Sequence, residues 1–168
     1  MAVSALKSVQ VTNMDASPPV RTTAGQNAEG ILRSVGGFVT AVASDEVAST
    51  YRLARVPSNA VVKQVLFESE AQGAGKVDLG VYRTAADGGA VVDADLFASA
   101  IDCASLVVQG DYTNESTQYG LHERNMPLWQ AAGLTSDPGG FLDVVATVVT
   151  TAVTTGTGRL GCVVNFVL

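Results

Sequence analysis

Apolar and polar side chains alternate through residues 49–82, and this alternation limits the fold more than any other feature of the sequence. It covers three segments separated by short turns, namely residues 50–56, 60–67 and 77–82. Period-2 alternation is typical of half-buried β-strands, and the Pro, Asn and Gly between the segments favour turns. The stretch therefore predicts three consecutive antiparallel strands in the middle of an all-β domain.

The first of these segments predicts a core face and a water face. Tyr51 and Leu53 are expected to point into the core, with Ala54 as a further candidate, whereas Arg52 and Arg55 are expected to be exposed. Nothing in these residues resembles a catalytic arrangement, so we interpret the segment as structural.

The rest of the chain predicts further strands and two short helices. The predicted elements are a first strand at residues 5–12, a strand pair or one strand bent at Gly36–Gly37 within residues 31–43, a helix at 93–101 begun by Asp93, a short strand at 106–109, a helix at 127–132 followed by Gly133, and a C-terminal hairpin of residues 141–153 and 159–167. About eight strands and one or two short helices are typical of a two-sheet β-sandwich of jelly-roll type.

The length of 168 residues favours a single domain. We expect residues 28–168 to form the sandwich, and residues 1–27 to add a strand and an extended arm that packs on the domain or on a neighbouring subunit. The arm, residues 13–27, is rich in Pro, Gly, Ser and Thr.

Composition argues against several classes of function. The net charge is −6 and the ten Lys and Arg are scattered, which is unlike the clustered basic surface that nucleic acids require. The sequence has no apolar run of ~18 residues to cross a membrane and no signal-peptide pattern. Cys103 and Cys162 are too few for a zinc site, and we interpret them as reduced, buried thiols of a protein made in a cytoplasm. With only 15% charged residues, part of the surface is expected to be covered by other copies or by a larger assembly.

Two motifs have simple structural interpretations. Residues 156–161 match the dinucleotide-binding pattern GxGxxG, but only seven residues follow and they predict a strand instead of a helix. We therefore interpret the match as a hairpin turn. His122 is the single histidine, and the sequence has neither a GxSxG elbow nor an HExxH motif, so we assign it no catalytic role.

Acidic and aromatic residues offer weaker candidates for binding. Asp87, Asp93 and Asp95 could gather oxygen ligands for Ca²⁺, although turn-forming and helix-capping aspartates explain the same residues. Sugar binding would need exposed aromatic rings, for which the candidates are Tyr82, Tyr112, Tyr119 and Trp129. Trp129 fits a core anchor better than a stacking platform. We predict no catalytic residue, no cofactor and no metal ligand.

Four phrases carry a resemblance to a known family. They are KSVQVTNMDASPPV at residues 7–20, STYRLARVPSNAVVKQVLFESEAQG at 49–73, KVDLGVYRTAADGGAVVDADLFAS at 76–99 and PLWQAAGLTSDPGGFLDVVATVVT at 127–150. Together they resemble the head cement or decoration proteins of tailed bacteriophages. The likeness covers most of the chain and lies in the order of phrases, without an active-site motif.

The resemblance implies a capsid-stabilising virion protein that is not an enzyme. Such proteins have a jelly-roll or similar sandwich fold, self-associate as dimers or trimers, and bind across joints between major capsid subunits. The expected location is the capsid surface, after synthesis in the host cytoplasm. Two alternatives stay open at this point: a receptor- or carbohydrate-binding module of the tail or baseplate, and an enzyme.

Overall fold

The computed structural model describes residues 16–18, 30–43, 45–154 and 158–168. Within these residues, eight strands form two antiparallel four-stranded sheets around one core, which confirms the predicted β-sandwich. The strands are β1 (Arg33–Thr40), β2 (Thr50–Pro57), β3 (Val61–Ser69), β4 (Lys76–Arg83), β5 (Val91–Asp102), β6 (Val107–Asp111), β7 (Phe141–Val149) and β8 (Arg159–Val167). Helix α1 (Leu128–Ala131) and two 3₁₀ turns, Ala85–Asp87 and Glu123–Asn125, complete the described elements.

The strand pairing is nested. The first sheet has the order β1-β8-β3-β6 and is called the β1 sheet, and the second has the order β2-β7-β4-β5 and is called the β2 sheet. In these sheets β1 pairs with β8, β2 with β7, β3 with β6 and β4 with β5. This is the pairing of one long hairpin rolled up into two layers, the winding of a jelly roll.

The nested pairing corrects two predictions about neighbours. Strands β2, β3 and β4 do not form a meander, because β2 and β4 flank β7 in one sheet while β3 lies in the other. The predicted C-terminal hairpin is also wrong, since β7 and β8 belong to different sheets. Alternation identifies a strand with one buried face, but both sheets of a sandwich offer the same kind of partner. The turn residues allow the chain to cross between layers as readily as to fold back.

The predicted helix at residues 93–101 is wrong as well, since this segment belongs to strand β5. The backbone N–H of Asp95 does donate to Asp93 Oδ1, at 3.2 Å, which is the local bonding that favoured a helix cap. Here it occurs within an irregular strand whose register against β4 shifts three times. Pairing with β4 and burial of Leu96 and Phe97 override the local preference.

Gly80 makes room for this irregular strand. It lies in β4, and a Cβ built on it would stand 2.2 Å from the carbonyl oxygen of Asp93 and 2.3 Å from the carbonyl carbon of Ala94. Real Cβ atoms do not approach backbone so closely. The backbone of β5 therefore lies directly on Gly80, which only glycine permits.

Other predicted elements are confirmed. Strand β1 is one strand that contains both glycines, β6 occupies the predicted short strand, and Leu128 of α1 is fully buried. Gly133 has a φ of 80°, as expected of a residue that ends a helix. The predicted strand at residues 5–12 lies outside the described residues, and so does the predicted arm apart from a bend at residues 16–18.

The connection from β6 to α1 closes one side of the sandwich. Tyr119 is fully buried, its ring centroid lies 5.0 Å from that of Phe97, and its hydroxyl donates to the carbonyl of Val62 at 2.9 Å. Because Phe97 and Val62 belong to different sheets, Tyr119 links the two layers. Cys103 and Cys162 are free and buried, as predicted.

Candidate interaction surface

The two outward faces of the sandwich differ in chemistry, and the β2 sheet carries the charged one. Its central feature is Asp143 of β7, whose side chain is 3% exposed. Arg52 Nη1 donates to Asp143 Oδ2 at 2.8 Å, and Arg55 donates to both carboxylate oxygens, at 2.6 and 3.0 Å. The three residues form a closed ion-pair cluster.

A bulge in β2 builds this cluster. Arg52 and Arg55 are three residues apart, so in a regular strand their side chains would point to opposite faces. The register shift between Arg52 and Ala54 inserts one extra residue, which turns both arginines outward while Leu53 and Ala54 are both buried. The predicted burial of Ala54 is confirmed.

The cluster neutralises the buried Asp143 carboxylate and keeps a net positive charge, because two arginines share one acid. Although burial raises the pKa of Asp143, hydrogen bonds from Arg55 and Arg52 hold it below the usual value. Arg52 also donates to the carbonyls of Arg83 and Gly89, at 2.8 and 3.3 Å. These contacts tie β2, β4 and β7 together, so we interpret the cluster as part of the framework and not as a ligand site.

Part of the outward face of the β1 sheet exposes apolar side chains among the residues that the structure describes. Phe38 of β1 forms one wall of a trough along the strands and is 68% exposed, while Leu106 and Val108 form the other wall and are 66% and 73% exposed. We call this surface the apolar trough. Its floor comes from β3 and β8 and includes Leu66, Glu68, Gly161 and Val163, and the polar residues Gln109, Glu70 and Arg159 also line the trough. The larger of its two adjoining hollows measures about 540 Å³.

Gly161 explains why the trough is hollow. It pairs with Phe38 on one side and Glu68 on the other, so it stands at the centre of the floor. A Cβ on Gly161 would lie 2.9 Å from the carbonyl oxygen of Gly37 and 3.0 Å from Phe38 Cβ. The strands β1 and β8 approach closely here because this position carries no side chain.

Charge is distributed unevenly along the trough. Arg159 lies 3.4 Å from Glu70 and stacks over Phe38, 5.8 Å from the ring centroid, so its charge is neutralised locally. Glu68 is exposed on the floor and has no hydrogen-bond or ion-pair partner among the residues that the structure describes. The trough thus combines exposed apolar side chains with Gln109, the Arg159–Glu70 pair and the Glu68 carboxylate, which has no partner among the described residues.

A polar ladder ends the trough on the same face. Asn165 Nδ2 donates to Gln64 Oε1 at 3.0 Å, and Gln64 Nε2 donates to Asp111 Oδ2 at 3.1 Å. These three side chains cross β8, β3 and β6. The face therefore changes from apolar to hydrogen-bonded within a few residues along the same strands.

The motifs considered from sequence do not converge on a site. His122 is exposed at the start of a 3₁₀ turn. Of the GxGxxG match, residues 158–161 run into strand β8, which agrees with a chance match, whereas residues 156–157 lie outside the described residues. The predicted hairpin turn is wrong, because β7 and β8 lie in different sheets.

The three aspartates separate into two roles. Asp87 accepts from Thr84 in a capped 3₁₀ turn, as a turn-forming aspartate does. Asp93 and Asp95 are neighbours on β5, where burial and the nearby Asp95 side chain raise the pKa of Asp93 although the Asp95 backbone N–H lowers it. Across the described ranges, no three His, Cys, Asp or Glu side chains come close enough to hold a metal ion.

The aromatic candidates do not form an exposed platform. Tyr119 and Tyr82 are buried, Tyr112 packs edge-on against Phe67 with centroids 5.7 Å apart, and Trp129 is partly buried against the core. The interpretation of Trp129 as a core anchor is confirmed. A flat sugar ring would find no pair of open faces among these four residues.

Sequence reasoning missed the two features that distinguish the faces. Asp143 is a single acid in an apolar strand, FLDVVATVV, and such a residue signals a buried ion pair. The trough had a weaker signal, because Phe38, Leu106 and Val108 are far apart in sequence and meet only through the strand order. No described helix is long and apolar enough to cross a membrane.

Comparisons of sequence with known proteins find no match, whereas a comparison of folds does. No protein-family model matches the sequence. No curated protein sequence matches it either. A chain in the solved structure of the cyanophage Pam1 capsid asymmetric unit has a similar fold, with a TM-score of 0.53 at 17% sequence identity. The alignment covers 92% of the present chain and 96% of that chain, so the two share one architecture over nearly their whole length.

Proposed function

We propose that this protein is a structural component of a bacteriophage head, a cement or decoration protein that binds across joints between major capsid subunits. The observation that carries the proposal is the shared architecture with a chain of a phage capsid asymmetric unit. The resemblance of the sequence phrases to head cement proteins supports the same assignment independently of the fold.

The surface chemistry supports a binding role without catalysis. On one face of the sandwich the buried Asp143 carboxylate is paired with two arginines, and on the other the trough exposes apolar side chains. A protein repeated over a lattice needs only modest contacts per copy, because many sites act together. An apolar sheet face suits that task better than a catalytic cleft does.

Self-association is part of the proposal. A dimer or trimer would cover sheet edges that otherwise invite uncontrolled pairing. Residues 13–27 remain the predicted arm toward a neighbouring subunit. A chain lacking residues 1–27 that kept both the oligomer mass and the particle binding of the full-length chain would contradict this part.

The alternative binding module has little support. A carbohydrate-binding site built on Tyr112, Tyr119 or Trp129 conflicts with the complete burial of Tyr119 and the partial burial of the other two. We therefore favour the head protein over a receptor- or sugar-binding role and over an enzyme.

The copy number of the chain in purified virus particles tests the proposal. Quantitative mass spectrometry, normalised to the major capsid protein, is expected to find hundreds of copies per particle. A handful of copies would instead place the chain at the neck or tail. Absence from particles would overturn the proposal.

A further inference from the structure

We propose that the apolar trough binds an extended segment of a neighbouring capsid protein, one that carries apolar side chains and a Lys or Arg opposite Glu68. This inference rests on the proposed function and adds the surface and the chemistry of the partner. It also assigns a role to Phe38, Leu106 and Val108, whose exposure the fold itself does not need.

The shape of the trough suits an extended segment. Its walls are β1 and β6, the two edge strands of the β1 sheet. They are three strand spacings apart, about 14 Å, which is wide enough for one extended chain with its side chains. The strands β3 and β8 beneath it are both central and paired on both sides, so the segment would bind through side chains.

The area points to a segment instead of a whole subunit face. From their exposed fractions, Phe38, Leu106 and Val108 together expose on the order of 400 Å² at the trough. A stable interface between two folded proteins takes about 800 Å² from each partner. The trough alone would not hold a dimer of this chain, but it suits a peptide-sized ligand.

Charge distinguishes a basic partner from a second copy. Among the residues that the structure describes, Glu68 has no ion-pair partner, while Arg159 is paired with Glu70. Two copies packed trough to trough would place the unpaired Glu68 carboxylates in one apolar interface, which is unfavourable. A Lys or Arg of a different chain would neutralise Glu68 as it becomes buried.

Competition during assembly tests the inference. The virus supplies the wild-type chain, and the infected cells express a variant chain in addition. Mass spectrometry of peptides that differ between the two chains then compares the variant-to-wild-type ratio in particles with the same ratio in the lysate. We expect Phe38→Asp, Val108→Asp and Glu68→Lys each to be depleted about tenfold or more in particles. Circular dichroism checks that each variant folds, which is expected because all three side chains are exposed.

Matched controls lie outside the trough. Leu121→Asp changes an 82% exposed apolar residue, and Glu46→Lys reverses an exposed acid, so both are expected to enter particles as the wild-type chain does. Equal incorporation of trough and control variants into particles that contain the wild-type chain would overturn the inference and leave the proposed function intact. Absence of the wild-type chain from particles would overturn both.

Photo-crosslinking identifies what occupies the trough. A benzoylphenylalanine residue replaces Val108, particles are irradiated, and the joined peptides are sequenced. We expect a peptide of another virion protein that contains apolar residues and a Lys or Arg. A peptide from a second copy of this chain, or an acidic peptide, would refute the assignment of the occupant.

Discussion

Replacing Asp143 with Asn tests whether the ion-pair cluster stabilises the sandwich. The substitution keeps the side-chain shape and removes the charge that three donor atoms of Arg52 and Arg55 share. Hydrogen bonds to charged groups contribute roughly 1.5–3 kcal/mol each, and breaking a fully buried pair costs about 3–5 kcal/mol. Because the Arg52 and Arg55 side chains are 30% and 53% exposed, both can turn partly to water, which lowers the cost.

We therefore expect Asp143→Asn to lower the free energy of unfolding by about 2–3 kcal/mol, equivalent to a fall in Tm of roughly 5–10 °C for a chain of this size. Urea unfolding followed by circular dichroism measures the free energy of unfolding. An unchanged m-value would show that the substitution changes stability alone. Glu46→Gln is the control, because Glu46 is exposed on a loop and should change stability by less than about 0.5 kcal/mol. An Asp143→Asn chain as stable as this control would refute the reasoning.

The wild-type and Asp143→Asn chains also allow a test of pH dependence. The pKa of Asp143 is held below its usual value, so the folded state binds the proton less readily than the unfolded state does. The ionised Asp143 stabilises the folded state fully above the ordinary aspartate pKa, near 4, and this stabilisation is lost as the pH falls through the lowered folded-state pKa. The stability difference between wild type and Asp143→Asn should therefore shrink at low pH. A difference that stays constant or grows would contradict this assignment.

Two further predictions concern packing and burial. Gly80→Ala should lower the free energy of unfolding in urea by about 3 kcal/mol or more, because the new Cβ would meet the backbone of β5. Gly110→Ala should lower it by about 1 kcal/mol, because the new Cβ would meet only the Tyr112 ring, at 3.1 Å. Equal losses would show that the close approach at Gly80 does not matter. Burial raises the pKa of Cys103 to about 11 and that of Cys162 to about 12, so at pH 8 neither thiol should react with dithionitrobenzoate until the protein unfolds. A rapid reaction of the native chain would contradict their burial.

The sequence by itself determined the class of the fold and most of its strands. Alternation in residues 50–56 and 77–82 fixes which side chains face the core, since a strand with one wet face has no other way to bury its apolar residues. Pro127 and Gly133 predicted where α1 begins and ends, because these two residue types have strong local backbone preferences. Local chemistry thus specified elements and their faces.

Only the tertiary structure decided which strands are neighbours. Strand β3 pairs with β8, almost a hundred residues away in sequence, and no local preference distinguishes that partner from β2 or β4. Strand β5 was mistaken for a helix because its Asp93 bonds locally as a cap does, and packing over Gly80 overrode this preference. The partner of each strand therefore depends on all the strands of the sheet and not on the strand's own sequence alone.

The two candidate surfaces depend on the same distinction. Asp143 meets Arg52 and Arg55 because β7 pairs with β2 and a bulge turns both arginines outward. Phe38 and Val108 face each other across the trough only because the β1 sheet has the order β1-β8-β3-β6. Alternation and local bulges set the direction of each side chain, whereas the strand order decides which side chains lie next to one another on a surface.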